Sequence, residues 1–244
     1  MRYGIFSDVH GNIEALDVVL DFLKDEGVDR YAFLGDAVGY GANPDEVCTK
    51  IRELEPLAVM GNHDAAVCGR MSYEDYYDAA RHALSWCKER ISPENMQWLK
   101  DMPYKVREGH VEFCHGAPVM PQAFDYLFSA DQAMGVLRGG FDSLAPVTFI
   151  GHSHLTISFR ISGSSVEPII EKQVECDEQA NFIITDGSVG QPRDRDPRAC
   201  CGIYDTETRL FTYHRLEYDI FSQRRKILDA GLATVFGDRL LVGM

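Results

Sequence analysis

Short apolar runs alternate with stretches of helical period along most of this chain. Tyr3–Phe6 fits a buried strand, and Ile13, Leu16, Val19, Leu20 and Leu23 then recur at helical spacing, with Gly27 placed as a stop. Tyr31–Leu34 predicts a second strand. After it, Asn43-Pro44-Asp45-Glu46 joins a capping residue, a proline suited to the first helical turn and a glutamate that completes a capping box, which predicts a helix through about Leu54. Leu57–Met60 reads as a third strand. Ser72 and Ser92 both read as helix caps, Ser92 with Pro93 behind it, so residues 72–100 are expected to form a helical excursion. Val111–Cys114, Val147–Ile150 and Phe182–Thr185 are further strand-like runs, with a helix predicted from Ser129 to Leu137. Thr156–Ile161, Val166–Ile170, Gly202–Asp205 and Leu210–Leu216 make the later part strand-rich, and Ile220–Leu232 returns to helical composition as the start of a C-terminal helical tail at about 220–244. The pattern is that of an α/β protein with one mixed sheet or two. With no internal repeat and no low-complexity linker, residues 1–244 are expected to form a single domain.

Composition narrows the picture. Hydrophobic residues at 45% and charged residues at 25% belong to an ordinary globular protein rather than a disordered one. The opening apolar run is broken by Asp8 and His10, too early for a signal peptide or a membrane span, so a cytoplasmic location is expected. The seven cysteines contain no CxxC pair, which favours reduced, buried thiols over a disulfide framework or a zinc ribbon. A formal net charge of −14 argues against a surface that grips a nucleic acid duplex. A small anionic substrate stays open, provided that a local positive charge draws it in.

The candidate chemistry sits at strand ends. Tyr3–Phe6 leads to Asp8 and His10, Tyr31–Leu34 to Gly35-Asp36, Leu57–Met60 to Gly61-Asn62-His63-Asp64, Val111–Cys114 to His115, and Val147–Ile150 to Gly151-His152-Ser153-His154. In open α/β sheets, sites gather beyond the carboxyl ends of strands, so endings from distant parts of the chain can converge. Five of the eight histidines lie in these endings, while His82, His110 and His214 do not and are read as structural or solvated.

Taken together and in this order, these motifs resemble the ordered pattern of the calcineurin-like metallophosphoesterases, over roughly residues 3–190. The resemblance implies a four-layer αββα sandwich, two mixed β-sheets flanked by helices. It also implies two divalent transition-metal ions: Asp8, His10, Asp36 and His154 would hold one, Asp36, Asn62, His115 and His152 the other, with Asp36 bridging. The donor types agree, since imidazole with carboxylate and carboxamide suits Mn, Fe or Zn better than Mg or Ca. Seven ligands exceed one tetrahedral ion but suit a pair that clamps an in-line phosphoryl displacement. If residues 151–154 are extended, His152 and His154 leave from the same side and can each reach a different ion. The implied activity is hydrolysis of small phosphomonoesters, phosphodiesters or dinucleoside polyphosphates by attack of a metal-bridging hydroxide. His63 is left to protonate the leaving group, and Asp64 is expected to orient its imidazole and favour the charged form.

The pattern departs from the Ser/Thr protein phosphatases of this superfamily, which carry arginines inside these motifs where the present chain has none. Arg193, Arg195 and Arg198 are the nearest candidates for phosphate contacts, Arg193 first, against a reading in which they pair with Asp194 and Asp196 in a solvated loop. Tyr73, Tyr76 and Tyr77 either cap the pocket or form the core face of a helix. A non-catalytic metal-binding scaffold of the same fold is the reading from another class, and an unbroken ligand set argues against it.

Overall fold

The structure is a computed structural model that describes residues 1–138, 140–163 and 165–244. Two six-stranded sheets face one another. The first runs β3(Leu57–Ala58), β2(Arg30–Phe33), β1(Arg2–Phe6), β11(Ala199–Asp205), β12(Leu210–Leu216), β9(Gln173–Glu175). The second runs β4(Lys105–Glu108), β5(Val111–Cys114), β6(Val147–Ile150), β10(Asn181–Thr185), β7(Ser158–Ser162), β8(Ser165–Ile169). Both are mixed: β1, β2 and β3 are mutually parallel, as are β5, β6 and β10, and antiparallel strands complete each sheet. Between the sheets lies an aromatic-rich core that includes Tyr3, Phe113, Phe149, Phe182, Tyr204 and Phe211. Helices α1(Ile13–Asp25), α2(Pro44–Glu53), α3(Asn62–Cys68), α4(Asp78–Lys88) and α5(Pro93–Asp101) share a second core with the outer face of the first sheet. The outer face of the second sheet is covered by α6(Ala130–Val136) and its flanking segments. Helices α7(Ile220–Asp229) and α8(Thr234–Asp238) pack on α4 and Tyr40 through Ile227, Leu232 and Phe236. The four-layer sandwich expected from the sequence is the fold observed.

Several local expectations are corrected. Ser72 caps no helix: residues 72–77 form irregular chain, α4 begins at Asp78, and the excursion is two helices with Ser92 capping the second through the Asn95 amide. Asn43 stands at the N-cap of α2, but its side chain makes no capping bond and Glu46 completes no capping box. Leu57–Met60 shrinks to two paired residues, since the Met60 amide leaves the ladder to donate to the Pro103 carbonyl, 2.8 Å away. Directly after it comes a helix that the apolar pattern does not announce, α3, with Gly61 as its N-cap. The edge strands β4 and β9 are likewise unannounced.

Candidate metal centre

The carboxyl ends of the two parallel strand triplets point to one place. Past β1 and β2 the chain keeps pairing without strand geometry: the amides of Asp8, His10 and Gly11 donate to the carbonyls of Gly35, Asp36 and Ala37 at 2.8–3.0 Å. That ladder locks Asp8, His10 and Asp36 in register. The Gly61 backbone abuts the Gly35-Asp36 turn so closely that a Cβ on Gly35 would meet the Gly61 nitrogen at 2.5 Å, and Gly35 has φ +96°, which explains the glycine before each of these ligand motifs. Across the sheet interface, the Val189 and Gly190 amides donate to Ser7 and Asp8, and Gly151 donates to the His115 carbonyl.

Five of the seven expected ligands, Asp8, His10, Asp36, His152 and His154, have φ between 48° and 66°. This left-handed region costs a non-glycine residue about 1–3 kcal/mol, and it persists where the surroundings over-determine it. Residues 151–154 are therefore not extended, and the reason given above for the divergence of His152 and His154 is replaced: two left-handed residues separated by Ser153 turn the imidazoles apart. His154 faces Asp8 and His10, and His152 faces Asp36 and His115.

The imidazoles are aimed by their outer nitrogens. Nδ1 of His10, His115 and His154 lies 2.9, 2.7 and 2.6 Å from the carbonyls of Val38, Leu34 and Gln191, so Nδ1 carries the proton it donates there. In neutral rings each Nε2 then presents a lone pair inward. His154 Nε2 stands 3.1 Å from Asp8 Oδ1, His115 Nε2 is 3.4 Å from Asp36 Oδ2, and His10 Nε2 is 3.7 Å from both carboxylates and 3.3 Å from His154 Nε2. Asn62 joins them with Oδ1 3.2 Å from His115 Nε2, its amide nitrogen donating to the Tyr76 hydroxyl. Lone pairs facing lone pairs in a buried cluster repel unless a cation or a proton lies between. Asp8 Oδ1 is buried without a hydrogen-bond partner. The residues fit a metal pair by this criterion: Asp8, His10 and His154 form one group, Asp36, His115 and His152 another, and a third, His10, Asp36 and His63, overlaps both.

Electrostatics without metal say the same. Burial pushes His10, His152 and His154 down and so keeps them neutral, the ligand form. Burial alone would do so for His115 too, but the adjacent Asp36 carboxylate overrides it and raises that imidazole to about 10. A metal at this half must displace the His115 proton. Burial opposes ionisation of Asp8 and Asp36, yet both carboxyls stay well below the ordinary range, Asp36 chiefly through the charged His115 beside it.

Asp64 does not touch His63. Its carboxylate accepts the amides of Asp36 and Ala37 at 2.7 and 2.9 Å and that of Gly61 at 3.2 Å, so its work is to pin the Asp36 turn to the start of α3. The expectation that it orients and charges His63 is corrected accordingly. His63 is instead packed edge-on against His10, Tyr40 and Tyr76, with Nδ1 unpartnered, and burial lowers it to about 4. It lines a pocket of about 420 Å³ with Asn62, Tyr76, Tyr77, Tyr126 and His152. Tyr73 lies away from this pocket. Arg193 reaches the region, its guanidinium carbon 6.0 Å from the Tyr40 ring centre and its Nη2 donating to Gln191 Oε1. Arg198 pairs with Asp196 and is exposed, as the solvated-loop reading has it, and Arg195 is exposed.

Sequence reasoning missed three residues. Tyr126 stacks on His152 with ring centres 3.7 Å apart and planes 11° apart; it comes from irregular chain that carries no periodic signal. Ser7 Oγ lies 2.5 Å from Asp8 Oδ2 and 2.8 Å from Asp186 Oδ1. One hydroxyl proton cannot serve two carboxylates. Burial and the Asp8 charge push Asp186 well above the ordinary carboxyl range, so a protonated Asp186 donates to Ser7, and Ser7 donates to Asp8. Asp186 was findable: it follows β10, the sixth parallel strand, as the expected ligands follow the first five.

The chain is similar to known proteins over nearly its whole length. The family model for calcineurin-like phosphoesterases matches residues 1–176. An uncharacterized protein of Methanocaldococcus jannaschii is 36% identical over 243 residues, 98% of this chain and 97% of its own. A metallophosphoesterase of Sphaerobacter thermophilus superposes with a TM-score of 0.87 at 34% identity, covering 100% of this chain and 99% of that one. A hypothetical protein of Pyrococcus horikoshii OT3 shares the fold with a TM-score of 0.79 at 19% identity, covering 100% and 98%.

Proposed function

Because the chain belongs to the calcineurin-like phosphoesterase family, we propose that it hydrolyses small phosphate esters, including phosphodiesters and dinucleoside polyphosphates, at a pair of divalent transition-metal ions. The observation that carries this reading is the set of inward Nε2 atoms facing Asp8 and Asp36, each ring fixed from behind by a backbone carbonyl. Asp8, His10, Asp36 and His154 would hold one ion and Asp36, Asn62, His115 and His152 the other, with Mn, Fe or Zn favoured by the nitrogen-rich set. When bound, the ions supply a nucleophilic water near neutral pH and neutralise charge on the phosphoryl group.

The chain's own residues do the rest. Tyr76 turns the Asn62 carboxamide so that Oδ1 faces the centre. His63, at the pocket wall with a free Nδ1, donates a proton to the leaving oxygen; an arriving phosphoryl group brings the negative charge that raises an imidazole held low by burial. Arg193 meets a phosphate oxygen. No arginine stands in the Gly35–Gly41 or Met60–His63 segments, which disfavours protein phosphatase activity.

The test is a substrate panel on metal-stripped protein reloaded with Mn²⁺: p-nitrophenyl phosphate, bis(p-nitrophenyl) phosphate and diadenosine tetraphosphate. Metal-dependent turnover of at least one is expected. Two bound ions with no turnover of any would overturn the catalytic reading in favour of a metal-binding scaffold.

A further inference from the structure

Arg193 and Arg239 converge on one atom. Arg193 Nη2 and Arg239 Nη1 donate to Gln191 Oε1 at 3.0 and 3.2 Å, so the two nitrogens lie no more than about 6 Å apart. In a protein of net charge −14 most arginines have an acidic partner, as Arg198 has Asp196 and Arg215 has Asp194. Among the described residues these two have none. Their common partner is a neutral amide oxygen, which holds both cations without neutralising either. Nε of each is buried without a hydrogen-bond partner, while both side chains are only partly buried and so still reach solvent. Each guanidinium has five N–H donors, most of them unused here.

Gln191 is itself 1% exposed and fixed at both ends of its backbone, its amide donating to Ser188 Oγ and its carbonyl accepting from His154 Nδ1. The pair therefore borders the centre, one residue behind a proposed metal ligand. The terminal segment that carries Arg239 is tied down over the same loop, where the Arg195 amide donates to the Gly243 carbonyl at 2.8 Å. Both arginines lie beyond residues 1–176, outside the part of the chain that the family model matches.

We propose that Arg193 and Arg239 form a second anion seat, which takes a phosphate of the substrate other than the one attacked, so that substrates with two or more linked phosphoryl groups are preferred. The seat rests on the phosphoester-hydrolase reading for its place in catalysis, but not for its binding. Two guanidiniums on a neutral bridge match the adjacent oxygens of a polyphosphate, to which each brings charge-assisted hydrogen bonds. A phosphate with a single negative charge and no neighbour gains little from the second arginine.

The experiment titrates metal-free protein with inorganic tripolyphosphate and with orthophosphate by calorimetry, which avoids chelation of bound metal and needs no turnover. Tripolyphosphate is expected to bind the unmodified protein roughly ten-fold or more tighter than orthophosphate, and Arg239→Gln to remove most of that advantage. Arg239→Lys, which keeps the charge but loses the fork, is expected to fall between. Equal affinity for the two anions in the unmodified protein overturns the proposal even if a variant fails to fold, as does an Arg239→Gln protein that binds tripolyphosphate as tightly. Tripolyphosphate binding together with an inactive Mn²⁺-loaded protein would leave the seat standing and reject the hydrolase.

Discussion

The two halves of the centre are both built on histidine and aspartate, the second adding Asn62, but they face different surroundings. Asp8, His10 and His154 are at most 2% exposed, and behind them stand Ser7, Asp186 and Gln191, all buried. Asn62 and His152 are 7% and 5% exposed and line the tyrosine-walled pocket, to which none of the first three contributes. Burial with a full set of hydrogen-bonded supports makes the first half a rigid holder. The second half opens on the pocket: His115 is buried and fixed by the Leu34 carbonyl, but the two residues that reach the pocket, Asn62 and His152, rest on the Tyr76 hydroxyl and the Tyr126 ring. Asp36 belongs to both.

Removing the shared residue should abolish the distinction. Asp36→Asn halves the charge offered to two ions at once, and the new amide would face the lone pairs of His10 and His115 from the position of Oδ2. We expect both ions to be lost on gel filtration and kcat/KM to fall by more than the ~10–100-fold typical of an outer hydrogen-bond loss. Metal analysis showing two ions retained would remove Asp36 from the bridge.

His63 sits on the seam, at the pocket wall yet packed on His10 with ring centres 4.8 Å apart. As a proton donor it belongs with the open half. His63→Asn should then keep both metals and lower kcat about 10²–10⁴-fold on alkoxide leaving groups. The loss should be smaller on p-nitrophenyl esters, whose leaving group departs with little need of a proton. A variant short of one metal would instead assign His63 to the His10–Asp36–His63 group as a ligand.

These contrasts were unevenly legible in the sequence. The residues that gather at the centre were, because a site built on parallel strand ends must place polar residues directly after apolar runs, and Asp8, Asp36, His115 and His152 do so. Central strands were, because burial on both faces demands continuous apolar residues, as in Val147–Ile150. Two of the four edge strands, β4 and β9, were not: Lys105–Glu108 is charged because one face meets solvent, and it pairs on one side only. Helix α3 was hidden because its first three residues, Asn62, His63 and Asp64, are chosen for the centre and for the Asp36 turn rather than for helical period. The role given to Asp64 failed for the same kind of reason, since sequence adjacency to His63 says nothing of where a helix turns each side chain.

The closed half can be probed through Asp186 without touching a ligand. If Asp186 is protonated and donates to Ser7, then Asp186→Asn, whose amide can also donate, should keep most of the metal affinity, whereas Asp186→Ala should lose roughly 10–100-fold. The loss should be larger for one of the two ions, the one beside Asp8. Equal damage from Asn and Ala would mean that Asp186 acts as an anion, and the proton relay through Ser7 would be wrong.

The smallest effect is expected on the open side, from Tyr126. Its ring lies flat on His152 and holds that imidazole by one face, where His154 on the closed side is held by a 2.6 Å hydrogen bond to a carbonyl. Stacking of this kind contributes about 0.5–1.5 kcal/mol beyond burial, equivalent to roughly 2–12-fold in a binding constant. Tyr126→Leu keeps an apolar wall but removes the planar contact, so it should weaken one metal-binding step by that factor and leave the other unchanged, resolved by two-step titration with Mn²⁺. Tyr126→Phe retains the ring and should bind both ions as the unmodified protein does. If Tyr126→Leu weakened both steps alike, the supports would be coupled through Asp36, and the division into a rigid holder and an adaptable open half would not describe how the centre binds its metals.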